Sequence, residues 1–388
     1  MPNPDSIAAS PESVGVDPSK LAAVIDRVRQ EVDEGVLPSA QIAVAREGKL
    51  ALFETFGDAT NESLYCVFSS TKAITSAAAW LLIESGDLSV DERVADIVPE
   101  FATNGKDVVT VEQLFLHTAG FPSAPFRPTD WFDRNRRLAR FAQWRLNWEP
   151  GSRFEYHPSS SMWVIAEIIE RRSGRDFVEF VRAEIADPLG LEDMFVGLPA
   201  EQNGRVAEIV HSGEPMSSAD YARLGIPEPP VTEVTEDAIL SFNRPEVRAA
   251  PTAGGGGIMT AADLALFYQA LIHGGSATGR RVWRDNTLQM ARQVRSGDLR
   301  DPYAGHPVNR GLGIVIAGEK GRNLRGFGHN NSALAFGHGG AGGQIAWGDP
   351  GTGVSIGYCT NGHDRNPLRL GRRGVSISNR VAEVAVAK

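Results

Sequence analysis

The chain has 388 residues, 42% apolar and 22% charged, with a formal net charge of −9. This composition is globular and long enough for two lobes, and it is too apolar for a disordered chain. The acidic balance argues against nucleic-acid and anionic-membrane partners, both of which call for a basic face.

The opening MPNPDSIAAS lacks the basic and apolar stretches of a secretion signal. No apolar run approaches the roughly 20 residues of a membrane span, so the expectation is a soluble, cytoplasmic protein without a membrane partner. Cys66 and Cys359 are too few for a disulfide scaffold and leave a single bridge open.

Residues 1–20 are rich in Pro and Ser and are expected to wrap the surface. Leu21 to Val36 carries Leu21, Val24, Ile25, Val28 and Val32 on one stripe and predicts an amphipathic helix. Gln41 to Ala45 and Leu50 to Phe56 predict two strands joined by a turn at residues 46–49. A short apolar segment, Leu64 to Phe68, runs into Ser69-Ser70-Thr71-Lys72 and a helix that stops at Gly86. Helices are predicted at Val111 to His117, Trp163 to Arg172, Phe177 to Ile185 and Ala261 to Ile272. Gly254 to Gly257 reads as a loop. Strand signals return at Gly313 to Ala317, Gln344 to Trp347 and Val354 to Cys359, with a closing helix at Ser376 to Val386.

Strand-rich ends thus flank a helical middle. The expected architecture is α+β: an antiparallel sheet flanked by helices, with an inserted all-helical lobe. Residues 1–85 with 290–388 would form the sheet domain, and residues 86–289 the inserted lobe.

Three motifs carry chemistry. Ser69 and Lys72 stand three apart at a helix start, hence on one face, in the sole Ser-x-x-Lys of the chain. A serine needs a base to become a nucleophile, and a lysine can be that base. Only six of the 39 basic residues are lysines, so about half of one such match is expected by chance. Ser69 is also an ordinary helix-capping residue type. Tyr156, in Phe154-Glu155-Tyr156-His157-Pro158, can relay a proton, or merely bury its ring. In His338-Gly339-Gly340-Ala341, glycines ahead of a strand let a substrate approach the backbone, or make a hairpin. The eight histidines show no metal-ligand spacing, and neither a phosphate loop nor a G-x-S-x-G elbow occurs.

Together these motifs resemble those of the serine β-lactamase and penicillin-binding-protein-like superfamily, most closely its class C branch and the family VIII carboxylesterases. The resemblance runs from about residue 15 to the end, through Asp87 to Val94, Leu114 to Pro122, Pro188 to Leu191, Thr260 to Leu264 and Phe336 to Pro350. It implies a β-lactamase/transpeptidase-like fold and an acyl-serine intermediate. Ser69 matches the nucleophile, Lys72 its base partner and Tyr156 the tyrosine of the Y-x-N motif. His338, Gly339 and Gly340 match the third, substrate-binding motif. The backbone N–H groups of Ser69 and Ala341 match the oxyanion hole.

The sequence departs from the β-lactamase pattern at Pro158, where those enzymes have Asn, and at His338, where they have Lys. An ester substrate is therefore expected, with short to medium acyl chains and no cofactor or metal. The alternatives on the same site are a β-lactamase, a D-aminopeptidase or DD-peptidase, and a transacylase. A ligand-binding homologue whose catalysis has lapsed is the remote alternative. Seven aromatic residues fall within 121–148, and they include Trp131 and Trp144, which are expected either to wall an acyl pocket or to pack the segment down.

Overall fold

The structure, a computed structural model, describes residues 2–228 and 234–386. In chain order its strands are β1 (Ser39–Arg46), β2 (Lys49–Gly57), β3 (Tyr65–Phe68), β4 (Met194–Val196), β5 (Val210–Ser212), β6 (Gly257–Met259), β7 (Val315–Ile316), β8 (Phe336–Gly337), β9 (Ile345–Asp349), β10 (Val354–Thr360) and β11 (Gly362–Asp364). Both ends of the chain build the main antiparallel sheet, in the order β2-β1-β10-β9-β8-β7. The register sets Ala43 opposite Gly357.

Every residue of β1 is buried, because both faces of the sheet are covered. Ala43 and Ala45 face the larger core, with the Thr71–Ser85 and Ala261–His273 helices. Ile42 and Val44 face the smaller core, with the Pro18–Asp33 and Pro367–Ala382 helices. This is the period-2 alternation of a strand applied to two apolar layers. Gly357 is required where the Ala261–His273 helix crosses β10, since a Cβ there would run into the Ala261 carbonyl.

Caps set the helix ends. Asp17 accepts from the Ser19 and Lys20 N–H groups and Pro18 takes the first position, so the first helix runs Pro18–Asp33 rather than from Leu21 to Val36. The closing helix begins at Pro367, nine residues before the expected Ser376, because Asn366 caps it through the Leu368 and Arg369 N–H groups. Its arginine-rich first half reads as solvated, yet Arg373 is buried in ion pairs with Glu31 and Asp364.

Residues 86–289 hold helices but also β4 and β6, which join β3 in a sheet of order β3-β6-β4, and β5, which pairs with β11. Three-residue strands are too short for alternation to mark them. Within this segment the Ala261–His273 helix lies on the sheet against β1, β9 and β10. The predicted helix from Phe177 is α-helical to Val181 and then continues as a π turn to Ala186. Gly257, expected in a loop, opens β6. Cys66 and Cys359 are free and buried, so no bridge joins them. Among the described residues no helix is long and apolar enough to cross a membrane.

Candidate active site

The site is built where β3 turns into the Thr71–Ser85 helix. Phe68, the last residue of β3, has a φ of 46°, a left-handed conformation that costs a side-chain-bearing residue about 1–3 kcal/mol. Thr71 holds this turn, its hydroxyl donating to the Phe68 carbonyl at 2.6 Å and accepting the Gly257 N–H at 2.7 Å. The strained turn leaves Ser69 partly exposed while Ser70, Thr71 and Lys72 are fully buried.

Lys72 Nζ donates to Ser69 Oγ at 3.2 Å, to the Pro158 carbonyl at 2.6 Å and to the Gly254 carbonyl at 2.7 Å. The Tyr156 hydroxyl donates to Ser69 Oγ at 2.9 Å. Ser69 and Lys72, three positions apart, and Tyr156, 87 positions after Ser69, therefore meet at one oxygen. Lys72 Nζ also lies 5.0 Å from the centre of the Tyr156 ring.

Tyr156 is set by the segment across from it. The Glu155 N–H donates to the His117 carbonyl at 3.2 Å, and the His157 N–H donates to His117 Nδ1 at 3.2 Å. His157 Nδ1 donates to the Glu155 carbonyl at 2.7 Å, and its Nε2 accepts the Phe121 N–H at 3.1 Å. Burial pulls the pKa of His157 down to about 4, so this imidazole is a neutral spacer.

The third motif sits on the opposite side. The His338 N–H donates to the Tyr268 hydroxyl at 3.0 Å and to the Ala346 carbonyl at 3.1 Å. Its ring lies 5.9 Å from that of Tyr156, and Nδ1 donates to the Gly339 carbonyl at 2.8 Å. Burial, with the Arg310 and Lys72 cations nearby, holds His338 well below the usual histidine pKa, so it is neutral. Gly339 lies against the Gln344 carbonyl, 3.1 Å from where its Cβ would stand. Gly340 is a glycine because a Cβ would strike the Val67 carbonyl at the end of β3. That close approach brings Ala341 to the same cavity as Ser69.

The cavity holds about 190 Å³ and is mostly apolar, with Phe68, Phe126, Trp163, Ile239 and Phe242 in its wall. Trp131 and Trp144 are not in this wall. Trp131 stacks on Trp163 at 5.3 Å, with the Arg137 guanidinium 3.7 Å from the centre of its ring. Trp144 stacks on Phe121 at 5.6 Å and donates its Nε1 hydrogen to the Pro125 carbonyl at 3.0 Å. Of the aromatic-rich segment, Phe126 reaches the cavity. Phe68 adjoins the nucleophile and Trp163 stands four positions after Ser159 on the next helix, signals that the sequence reading passed over. Nothing in the sequence distinguishes Phe242.

The Beta-lactamase family model matches residues 24–376. Esterase/beta-lactamase LipL of Mycobacterium tuberculosis is 28% identical over 317 residues, which take in 77% of this chain and 70% of LipL. Esterase EstB of Burkholderia gladioli is 29% identical over 249 residues, 56% of this chain and 62% of EstB. A penicillin-binding-protein homologue from Caulobacter crescentus superposes with a TM-score of 0.78 at 30% identity, covering 96% of this chain and 99% of its own. A family VIII carboxylesterase structure gives 0.77 at 27% identity, covering 95% and 99%. Because the family match runs from the first helix to the last and encloses both halves of the sheet and the site between them, the chain belongs to the beta-lactamase family.

Proposed function

We propose that the protein is a serine hydrolase that forms an acyl-enzyme on Ser69, with carboxylesterase specificity for short- to medium-chain esters. The observation that carries this reading is Ser69 Oγ held by both Lys72 Nζ and the Tyr156 hydroxyl at the mouth of an apolar cavity. The Ser69 proton passes to the Lys72–Tyr156 pair as Oγ attacks the ester carbonyl carbon. The Ser69 and Ala341 N–H groups receive the oxyanion, each preset donor contributing about 3 kcal/mol to the transition state. The same pair returns the proton to the departing alkoxide, and water then repeats the attack on the acyl-serine. The esterase names of LipL and EstB support this reading. So does the absence of a carboxamide at Pro158.

The reading is tested by treating the protein with a fluorophosphonate and mapping the adduct. The adduct is expected on Ser69 and on no other serine, and Ser69→Ala is expected to be unlabelled. An adduct on Ser70, or full esterase activity in Ser69→Ala, would overturn it.

The cavity wall makes a separate prediction. Phe242 is part-buried and packs edge-on against Phe68 at 5.6 Å, so Phe242→Ala lengthens the cavity at modest cost to the core. A site that gains room for two or three methylenes, each worth about 0.8 kcal/mol, should favour p-nitrophenyl octanoate over butyrate by about 15- to 60-fold more than before. Trp131→Ala, behind the wall, should leave that preference unchanged while lowering stability by about 3–5 kcal/mol. Initial rates on the two esters, with melting curves, check both. A preference shift in Trp131→Ala equal to that in Phe242→Ala would place the wall elsewhere.

A further inference from the structure

The segment that carries Ala341 is a hairpin turn between β8 and β9. Their register continues past Gly337 and Trp347. The His338 N–H donates to the Ala346 carbonyl at 3.1 Å, and the Gly340 N–H donates to the Gln344 carbonyl at 3.0 Å. Ala341, Gly342 and Gly343 then make the turn, with φ of 76° at Gly342 and 106° at Gly343. The turn is packed against its surroundings. A Cβ on Gly342 would stand 3.0 Å from the His363 ring, and one on Gly343 would stand 3.1 Å from Arg373 Nη1.

On its other side β9 pairs with β10, from Asp349 opposite Val354 to Ile345 opposite Tyr358. Continued by two residues, this register would set Gly343 opposite Thr360. The turn takes Gly343 out of the ladder, and Thr360 is 2% exposed, so its N–H and carbonyl need another partner. The Gln344 side chain supplies it. Its Oε1 accepts the Thr360 N–H at 2.9 Å, and its Nε2 donates to the Thr360 carbonyl at 2.9 Å. A carboxamide carries the donor and the acceptor of a backbone amide, so one side chain closes both bonds. Nε2 also donates to the Ala341 carbonyl at 3.4 Å. Gln344, 4% exposed, thus ties Gly340, Ala341 and Thr360 together.

We propose that Gln344 is a positioning residue for the reaction at Ser69: its carboxamide replaces the missing rung between the hairpin and β10, and so fixes the turn from which the Ala341 N–H meets the oxyanion. The inference rests on the hydrolase reading above, which gives the oxyanion to the Ser69 and Ala341 N–H groups. The Ser69 N–H is set by the start of its own helix. The Ala341 N–H stands in a turn with two glycines, which by themselves favour no single conformation. Gln344 supplies the constraint. It is absent from the cavity wall, so it acts through Ala341 and not on the substrate.

The test compares Gln344→Met and Gln344→Asn with the unaltered protein on p-nitrophenyl butyrate. Methionine nearly matches glutamine in length and volume and has no amide. Asparagine keeps the amide on a stem one methylene shorter, which cannot span from the hairpin to Thr360. A displaced oxyanion donor weakens the transition state and not the bound ester. Both variants should therefore lower kcat about 10- to 100-fold and keep KM within about threefold. A short-chain trifluoromethyl ketone, whose hemiketal oxygen takes the oxyanion position, should bind more weakly by the same factor.

Melting curves accompany both variants, and Gln344→Asn carries the test if Gln344→Met does not fold. A folded variant with kcat within about twofold of the parent overturns the proposal, as does a raised KM at unchanged kcat. Unchanged ketone affinity alongside a lowered kcat overturns it too, and leaves Gln344 a residue of strand pairing alone. Fluorophosphonate labelling of the unaltered protein runs beside these measurements. Its failure at Ser69 removes the hydrolase reading itself, whereas labelling with unmoved kcat in the variants removes only the role of Gln344.

Discussion

Lys72→Ala and Tyr156→Phe are each expected to lower kcat/KM on p-nitrophenyl butyrate by about 10²- to 10⁴-fold, and the double variant by little more than the worse of the two. The expectation follows from geometry. Both groups meet the same Ser69 Oγ, and Lys72 lies against the Tyr156 ring, so the proton they handle belongs to the pair. Once either is gone the path is broken, and removal of the other finds little left to lose.

Lys72→Ala also leaves the Pro158 and Gly254 carbonyls without their donor, at about 1–3 kcal/mol each. A melting curve therefore accompanies each variant, and Lys72→Arg, which keeps a donor and the charge, separates folding from chemistry. Tyr156→Phe removes one hydrogen bond and should melt within a few degrees of the parent. Losses that multiply in the double variant would mean two independent roles.

How far the sequence displayed this site depends on distance along the chain. Ser69 and Lys72 are legible because a helix start and a three-residue spacing are local facts. Tyr156 and His338 stood out only as separate motifs: no local rule joins them to Ser69, and the resemblance alone placed them at one site. The strain at Phe68 is invisible in sequence, since a phenylalanine with φ of 46° is held by Thr71 and Gly257 rather than by its own preference. The density of rings in 121–148 left a pocket wall and a packed segment equally open, and Trp131 and Trp144, candidates for the wall, lie outside it. It could not say which rings reach the cavity, because Trp131 and Phe126 both pack against Trp163 and only Phe126 lines it. Arg310 is one arginine among many in a lysine-poor chain, and its burial is a tertiary fact.

The fold shows the same division. β1 and β10 were readable because they are long enough to show as apolar runs bounded by turn residues. The two- and three-residue strands were not. The closing helix starts at Pro367 and not at Ser376: Asn366 caps it, and the arginines of its first half have partners, Glu31 and Asp364, that are distant or outside the helix.

With the same preparation, kcat/KM for p-nitrophenyl butyrate should exceed that for nitrocefin by about 10²- to 10⁴-fold, the loss expected from two polar anchors worth about 1–3 kcal/mol each. In the β-lactamases that the sequence resembles, an Asn at the position of Pro158 holds the substrate amide, and a Lys at the position of His338 meets the carboxylate. Pro158 has no carboxamide, and its carbonyl is taken by Lys72 Nζ at 2.6 Å. His338 cannot stand in for the lysine, because burial and the Arg310 and Lys72 cations keep it uncharged. Neighbouring serines offer little replacement. Ser160 is buried and donates to the Phe121 carbonyl at 2.8 Å, and Ser161 is fully buried in its helix, which leaves Ser159 at the cavity wall. An ester needs neither anchor. Its alkoxide departs with less protonation than an amide nitrogen, and the Ser69 and Ala341 N–H groups still receive the oxyanion. A lysine placed at position 338 would be buried beside two cations, so His338→Lys alone should not raise nitrocefin turnover by more than a few-fold. Pairing it with Arg310→Gln removes one of those cations and should raise turnover further. Equal or greater activity of the unaltered protein on nitrocefin than on the ester would show that the two departures do not set the substrate, and that the site is a β-lactamase.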